Sequence, residues 1–145
     1  MSRYILAYEI LLEFILGLFP HCFSKSPHTR IIVDHLIRNF PARIACYDMA
    51  AMLCISNRWL QKICAASFQI TFTRLKRILR VYYALELFSG TNLDKYEIAK
   101  ELHYSEWTNL LRDVRLELNV CVDELRHLLD CFSPQEVFNQ LWKGL

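Results

Sequence analysis

The stretch Met49-Ala50-Ala51-Met52-Leu53-Cys54-Ile55-Ser56 is answered 49 residues later by Ile98-Ala99-Lys100-Glu101-Leu102-His103-Tyr104-Ser105. In each, a helix-periodic segment stops at a two-residue break and resumes after a serine, a residue suited to cap a new helix. Beyond the serines the apolar positions also correspond. They fall at Leu60, Ile63, Cys64, Phe68 and Ile70 in the first copy, and at Asn109 (polar), Leu110, Val114, Leu118 and Val120 in the second, offset by one step. A helix, a tight turn and a second helix, written twice, is the reading.

Between the copies, Thr73 to Phe88 reads as one long helix of about 16 residues and ~24 Å. Ser89-Gly90 closes it, with the glycine suited to a left-handed C-terminal position. Before the first copy, Ile31 to Phe40 forms a short amphipathic helix that ends ahead of Pro41, and Ser24-Lys25-Ser26-Pro27-His28 is a polar break. After the second copy, Ser133-Pro134-Gln135-Glu136 has capping-box spacing with proline at the first helical position. The expected fold is all-α: two helix-turn-helix subdomains on a long linker helix, with an extra hydrophobic N-terminal helix and a short C-terminal helix. The expected divisions are 1–26 for the N-terminal helix and linker, 27–132 for the paired units, and 133–145 for the C-terminal helix.

The chain has 145 residues, 54% of them hydrophobic, with 3 Gly and 4 Pro, which excludes a disordered or collagen-like polymer and a large multidomain enzyme. Its net charge of +2 conceals an asymmetry. Residues 1–80 carry 11 basic against 4 acidic side chains, net +7, and residues 81–145 carry 6 against 11, net −5. A polyanion partner for the basic half follows. Six cysteines without a C-x-x-C pair lie in helix-periodic stretches, the pattern of buried thiols in a reducing, cytoplasmic setting. His21, Cys22, His28 and His35 match no zinc spacing, so neither metal nor cofactor is expected.

Ile5 to Phe19 (ILAYEILLEFILGLF) is apolar almost all round, but Glu9 and Glu13 interrupt it and Pro20 ends it. Its 15 residues rise only ~22 Å against a hydrocarbon core of ~30 Å, so no membrane span or export signal is expected. Either the body of the protein or a second copy must cover this helix, making residues 4–19 a candidate surface for a homodimer or another protein partner.

The residues from about Arg30 to Leu128 resemble the paired helix-turn-helix DNA-binding domain of the AraC/XylS transcription regulators. The resemblance rests on Ile98-Ala99, on His103-Tyr104-Ser105, and on Leu110 to Leu118 followed by Asn119-Val120-Cys121-Val122 and Leu125. The linker positions Leu75, Arg80, Ala84 and Leu87 add to it. His103, Gln69 and Asn119 stand where the family usually has glycine, Phe72 and Val122 where it has proline, and Ala65-Ala66 where a basic pair is common. The resemblance implies a divergent member whose second helix in each unit enters the major groove.

On the first such helix, Leu60, Ile63 and Cys64 turn inward, leaving Arg58, Gln61 and Lys62 as the reading face, with Trp59 expected to pack. Arginine can pair with guanine and glutamine with adenine. Lys76, Arg77 and Arg80 are either phosphate ligands or solvated charges, and Trp107, Thr108, Leu111 and Arg112 fill the outward places of the second helix, with Arg115 near the DNA backbone. Glu106, Asp113 and Glu117 share that helix and should repel phosphates, so the first unit is expected to dominate. No nucleophile, base or phosphate loop at informative spacing supports an enzyme. The expected function is a sequence-specific transcription regulator, an activator, with double-stranded DNA as its partner and RNA polymerase as a further one. No effector pocket is expected in it. The alternative is a regulatory interaction module of the same fold that binds another transcription factor, favoured by Ala65-Ala66, the acidic second half and the apolar first helix.

Overall fold

The computed structural model describes residues 3–144, and side chains from Ala7 onward. The side chains of residues 4–6, part of the expected 4–19 surface, lie outside the described residues, as do Met1, Ser2 and Leu145. The described residues are all-helical: α1 (Arg3–Leu18), a 3-10 turn (Cys22–Ser24), α2 (Pro27–Arg38), α3 (Cys46–Met52), α4 (Asn57–Phe68), α5 (Phe72–Gly90), α6 (Lys95–Glu101), α7 (Trp107–Leu118), α8 (Val122–Cys131) and α9 (Pro134–Leu141). Two compact units divide the chain, Met1–Lys76 and Arg77–Leu145. The first takes in α1 and the second takes in α9.

In the first unit, α1 packs on α2, burying Ala7, Leu11, Phe14 and Ile15 at i, i+4, i+7 and i+8. The protein's own body therefore covers one face of the hydrophobic helix, while Glu9 and Glu13 stay in solvent. Phe19 meets Phe68 edge to face at 5.2 Å, and the buried hydroxyls of Thr29 and Ser67 share a hydrogen bond of 2.7 Å, fastening α2 to α4. At the rim, Tyr8 Oη donates to Asp34 Oδ1 at 2.7 Å and Arg38 Nε donates to both Asp34 oxygens at 2.8 and 2.9 Å.

The internal repeat is visible in the backbone. Cys54 and His103, 49 residues apart, both have left-handed backbones with φ of 56° and 62°. In the first turn Ile55 N–H donates to the Ala50 carbonyl at 2.9 Å, and in the second Tyr104 N–H donates to Ala99 at 3.0 Å. Past the turns the displacement becomes 50, because Glu106 rather than Ser105 is the N-cap residue of α7. Gln69 and Asn119 then match as left-handed caps of α4 and α7, with φ of 60° and 57°. The core repeats in the same register: Leu60 with Leu110, Cys64 with Val114, Phe68 with Leu118 and Leu75 with Leu125 are all buried.

Some boundaries differ from expectation. α2 begins at Pro27, not Ile31, since the Ser26 hydroxyl accepts from His28 N–H at 3.2 Å and proline is favourable at the first helical position. α5 runs through Gly90, which is helical and not left-handed; the Thr91 N–H continues the ladder to Leu87. α8 has no counterpart among the expected elements, though Val122 and Leu125 at helical spacing and Asp123-Glu124 in its first turn are its sequence signals.

Left-handed backbone costs an L-residue other than Asn or Asp roughly 1–2 kcal/mol, offset in part by glycine's greater unfolded-state entropy. Gln69→Gly is therefore expected to stabilise the protein by about 0.5–1 kcal/mol in denaturant melts, with a smaller gain for Asn119→Gly. A second expectation concerns pH. The Tyr8 hydroxyl and the Arg38 guanidinium hold the Asp34 carboxyl below the ordinary carboxylate range, while Asp34 and burial push the Tyr8 phenol up. Asp34's contribution is complete above about pH 4 and fades as pH falls below it; Tyr8's is complete below about pH 10 and fades above it. Thermal unfolding of Tyr8→Phe against the parent should show a difference that is widest between these limits and shrinks at both ends.

Candidate nucleic-acid interface

The second helix of each helix-turn-helix pair is set by its turn and by the apolar stripe that anchors it. On α4, Leu60, Ile63, Cys64, Ser67 and Phe68 are buried. The Ser56 hydroxyl accepts from Trp59 N–H at 3.1 Å, fixing the first turn. The opposite stripe carries Arg58, Lys62, Ala65 and Ala66, all exposed. Among the described residues neither Arg58 nor Lys62 has an ion pair or hydrogen bond, and both are exposed, Arg58 in the first turn of α4 and Lys62 one turn further on. Trp59, expected to pack, is 52% exposed beside them.

Gln61 does not join that stripe as a free amide. One position past Leu60 and three before Cys64, it lies on the rim of the buried face and is half-buried. Its Nε2 donates to Cys46 Sγ at 3.3 Å and its Oε1 accepts from the Phe72 N–H at 3.3 Å. Both ends are thus engaged in bracing α4 against the starts of α3 and α5. Nearby, Lys76 Nζ donates to the Ile44 carbonyl at 2.6 Å and stands 5.0 Å from the Phe72 ring centre. Burial, with the nearby Cys46 adding to it, pushes the Cys64 thiol up to about 12, so it behaves as a small apolar group.

In the second unit, both arginines expected to meet phosphates are structural. Arg80 is 5% exposed and its Nε donates to the Leu102 carbonyl at 3.4 Å, at the C-terminal end of α6. Arg77 Nε donates to Glu117 Oε2 at 2.6 Å, and the other Glu117 oxygen accepts from Trp142 Nε1 at 3.0 Å. The Glu117 side chain is only 1% exposed. Asp113 accepts from the Tyr104 hydroxyl at 2.8 Å.

Two of the three carboxylates expected to weaken α7 are therefore turned inward. Helical spacing carried the signal: Glu117 falls three residues after Val114 and seven after Leu110, on the buried face. Thr108, Arg112, Arg115 and Leu116 form the exposed face, and Glu106 remains at its start. Trp107 is half-buried, edge to face with Tyr96 at 5.2 Å, and Lys95 Nζ stands 4.4 Å from its ring centre. This cluster anchors the N-terminus of α7 to α6.

No family model matches the chain, and no curated protein matches it closely enough to be counted a relative. Among solved structures, the fold is similar to the C-terminal domain of the two-component response regulator yesN from Fusobacterium nucleatum subsp. nucleatum, with a TM-score of 0.64 at 18% identity. The match covers 70% of this chain and 99% of that domain. No described helix is long and apolar enough to cross a membrane, and among the described residues no three His, Cys, Asp or Glu side chains form a group that could hold a metal ion.

The cations divide by role, and stability should divide with them. Arg77→Ala removes the guanidinium that pairs with a buried carboxylate and is expected to cost about 2–3 kcal/mol, reduced from the fully buried case because Arg77 is partly exposed. Arg58→Ala and Lys62→Ala should each change stability by less than about 0.5 kcal/mol. Urea unfolding of the three variants checks the division. Equal losses would overturn it. The fold this chain shares with the yesN C-terminal domain thus carries, on the outer stripe of α4, two cations that the structure itself does not use.

Proposed function

We propose that the chain is a sequence-specific, DNA-binding transcription regulator of the double helix-turn-helix kind, an activator working in the cytoplasm. The observation that carries this reading is the pair Arg58 and Lys62, exposed and unengaged on the outer stripe of α4. An exposed arginine in the first turn of such a helix can reach guanine, Lys62 a phosphate, and Trp59 a thymine methyl. Gln61 is reassigned from base reader to brace. On α7 the corresponding face offers Thr108, Arg112 and Arg115, and the inward turn of Asp113 and Glu117 removes most of the repulsion expected there. Arg77 and Arg80 take no part in DNA contact. The fold shared with a response regulator's C-terminal domain supports the reading.

Four unengaged cations imply that log affinity for duplex DNA falls with log salt at a slope of about −3 to −4. Lys62→Ala should reduce that slope by about one. On a site selected from random duplexes, Arg58→Ala should cost about 1–3 kcal/mol and relax one base position, whereas Lys62→Ala should weaken all sequences alike. Absence of binding to any duplex at low salt would sink this proposal and leave the protein-interaction reading in its place.

A further inference from the structure

A groove of about 560 Å3 lies between α1 and α2, lined by Leu12 and Leu16 of α1, Phe23 of the 3-10 turn, and Ile31 and Val33 of α2. Its volume falls within the ~300–1,000 Å3 usual for small-molecule sites. Tyr8, Arg30 and Asp34 supply the polar part of the lining. Asp34 is already satisfied by Tyr8 and Arg38. Arg30 is not: its guanidinium stands 4.7 Å over the Phe23 ring, and among the described residues no carboxylate pairs with it. Leu16 and Ile31, at 37% and 50% exposed, leave the apolar floor open to solvent.

An apolar trough with one uncompensated cation at its edge is complementary to a molecule with a hydrocarbon body and a single anionic head. We infer that this groove binds a free amphipathic monocarboxylate, its chain along Leu12, Leu16 and Ile31 and its carboxylate on Arg30. The inference does not rest on DNA binding. It does supply an effector site where the sequence led to none being expected, inside the unit that also holds α4. The walls of the groove reach that helix through Thr29–Ser67 on α2 and through Phe19–Phe68 at the end of α1.

Titration of the full-length protein with dodecanoate, kept below its micelle concentration and followed by calorimetry, tests the inference. One-site binding is expected, at least tenfold tighter than that of dodecanol. Arg30→Leu should weaken dodecanoate at least tenfold while shifting the melting temperature by no more than a few degrees, because Arg30 is exposed and its one described contact is with the Phe23 ring. Ile31→Glu, also at an exposed position, should abolish binding while keeping the fold. Equal affinity for dodecanol and dodecanoate, indifference to both substitutions, or no binding at all would overturn it. So would binding only to anionic phospholipid vesicles, which would make the occupant a membrane surface.

Discussion

The turn between the two helices of each unit is the constraint on which the arrangement depends. A helix that must end, turn and start again within four or five residues needs one residue with positive φ, and here a cysteine and a histidine supply it at Cys54 and His103. The hydrogen bonds that close these turns, Ile55 to Ala50 and Tyr104 to Ala99, aim the following helix. Once that helix is aimed, the 3.6-residue period decides everything about its faces. Leu60 and Cys64, or Leu110 and Val114, go inward, and Arg58 with Lys62, or Thr108 with Arg112, go outward.

Those faces sort the charges into two populations. Arg77, Arg80, Asp113 and Glu117 are spent inside the second unit, where a buried charge is tolerable only with its partners in place. Arg58, Lys62, Arg112 and Arg115 are left in solvent without intramolecular partners among the described residues. The first unit, residues 1–76, holds nine basic and four acidic side chains, and the second, 77–145, eight and eleven. The acidity of the second unit therefore does not fall evenly on the outer face of α7.

Much of this was legible in the residues alone. The repeat, the Ser56 cap, the Ser133 capping box and the outward stripe of Arg58 and Lys62 follow from spacing and cap chemistry, which are local and periodic. What spacing could not give is the partner of a side chain at the rim of a face. Gln61, Arg77 and Arg80 are polar residues one step from the apolar stripe, and whether such a residue reaches out or folds in depends on what a distant segment offers. For Gln61 that is Cys46 and the Phe72 N–H, and for Arg77 it is Glu117. Trp59 departs in the other direction: an aromatic beside a cap suggests packing, yet the residue is 52% exposed.

Ser67 and Glu117 occupy equivalent places near the ends of α4 and α7, and both are buried, yet one shares a hydroxyl bond with Thr29 and the other an ionic bond with Arg77. The two halves have thus ceased to be interchangeable modules. A recombinant that carried α4 into the second scaffold would set a serine opposite an arginine whose charge it cannot answer, and the reverse graft would bury a carboxylate against a threonine. The outer surface of such a protein can be altered by exchanging outward side chains one at a time, but not by shuffling whole helices.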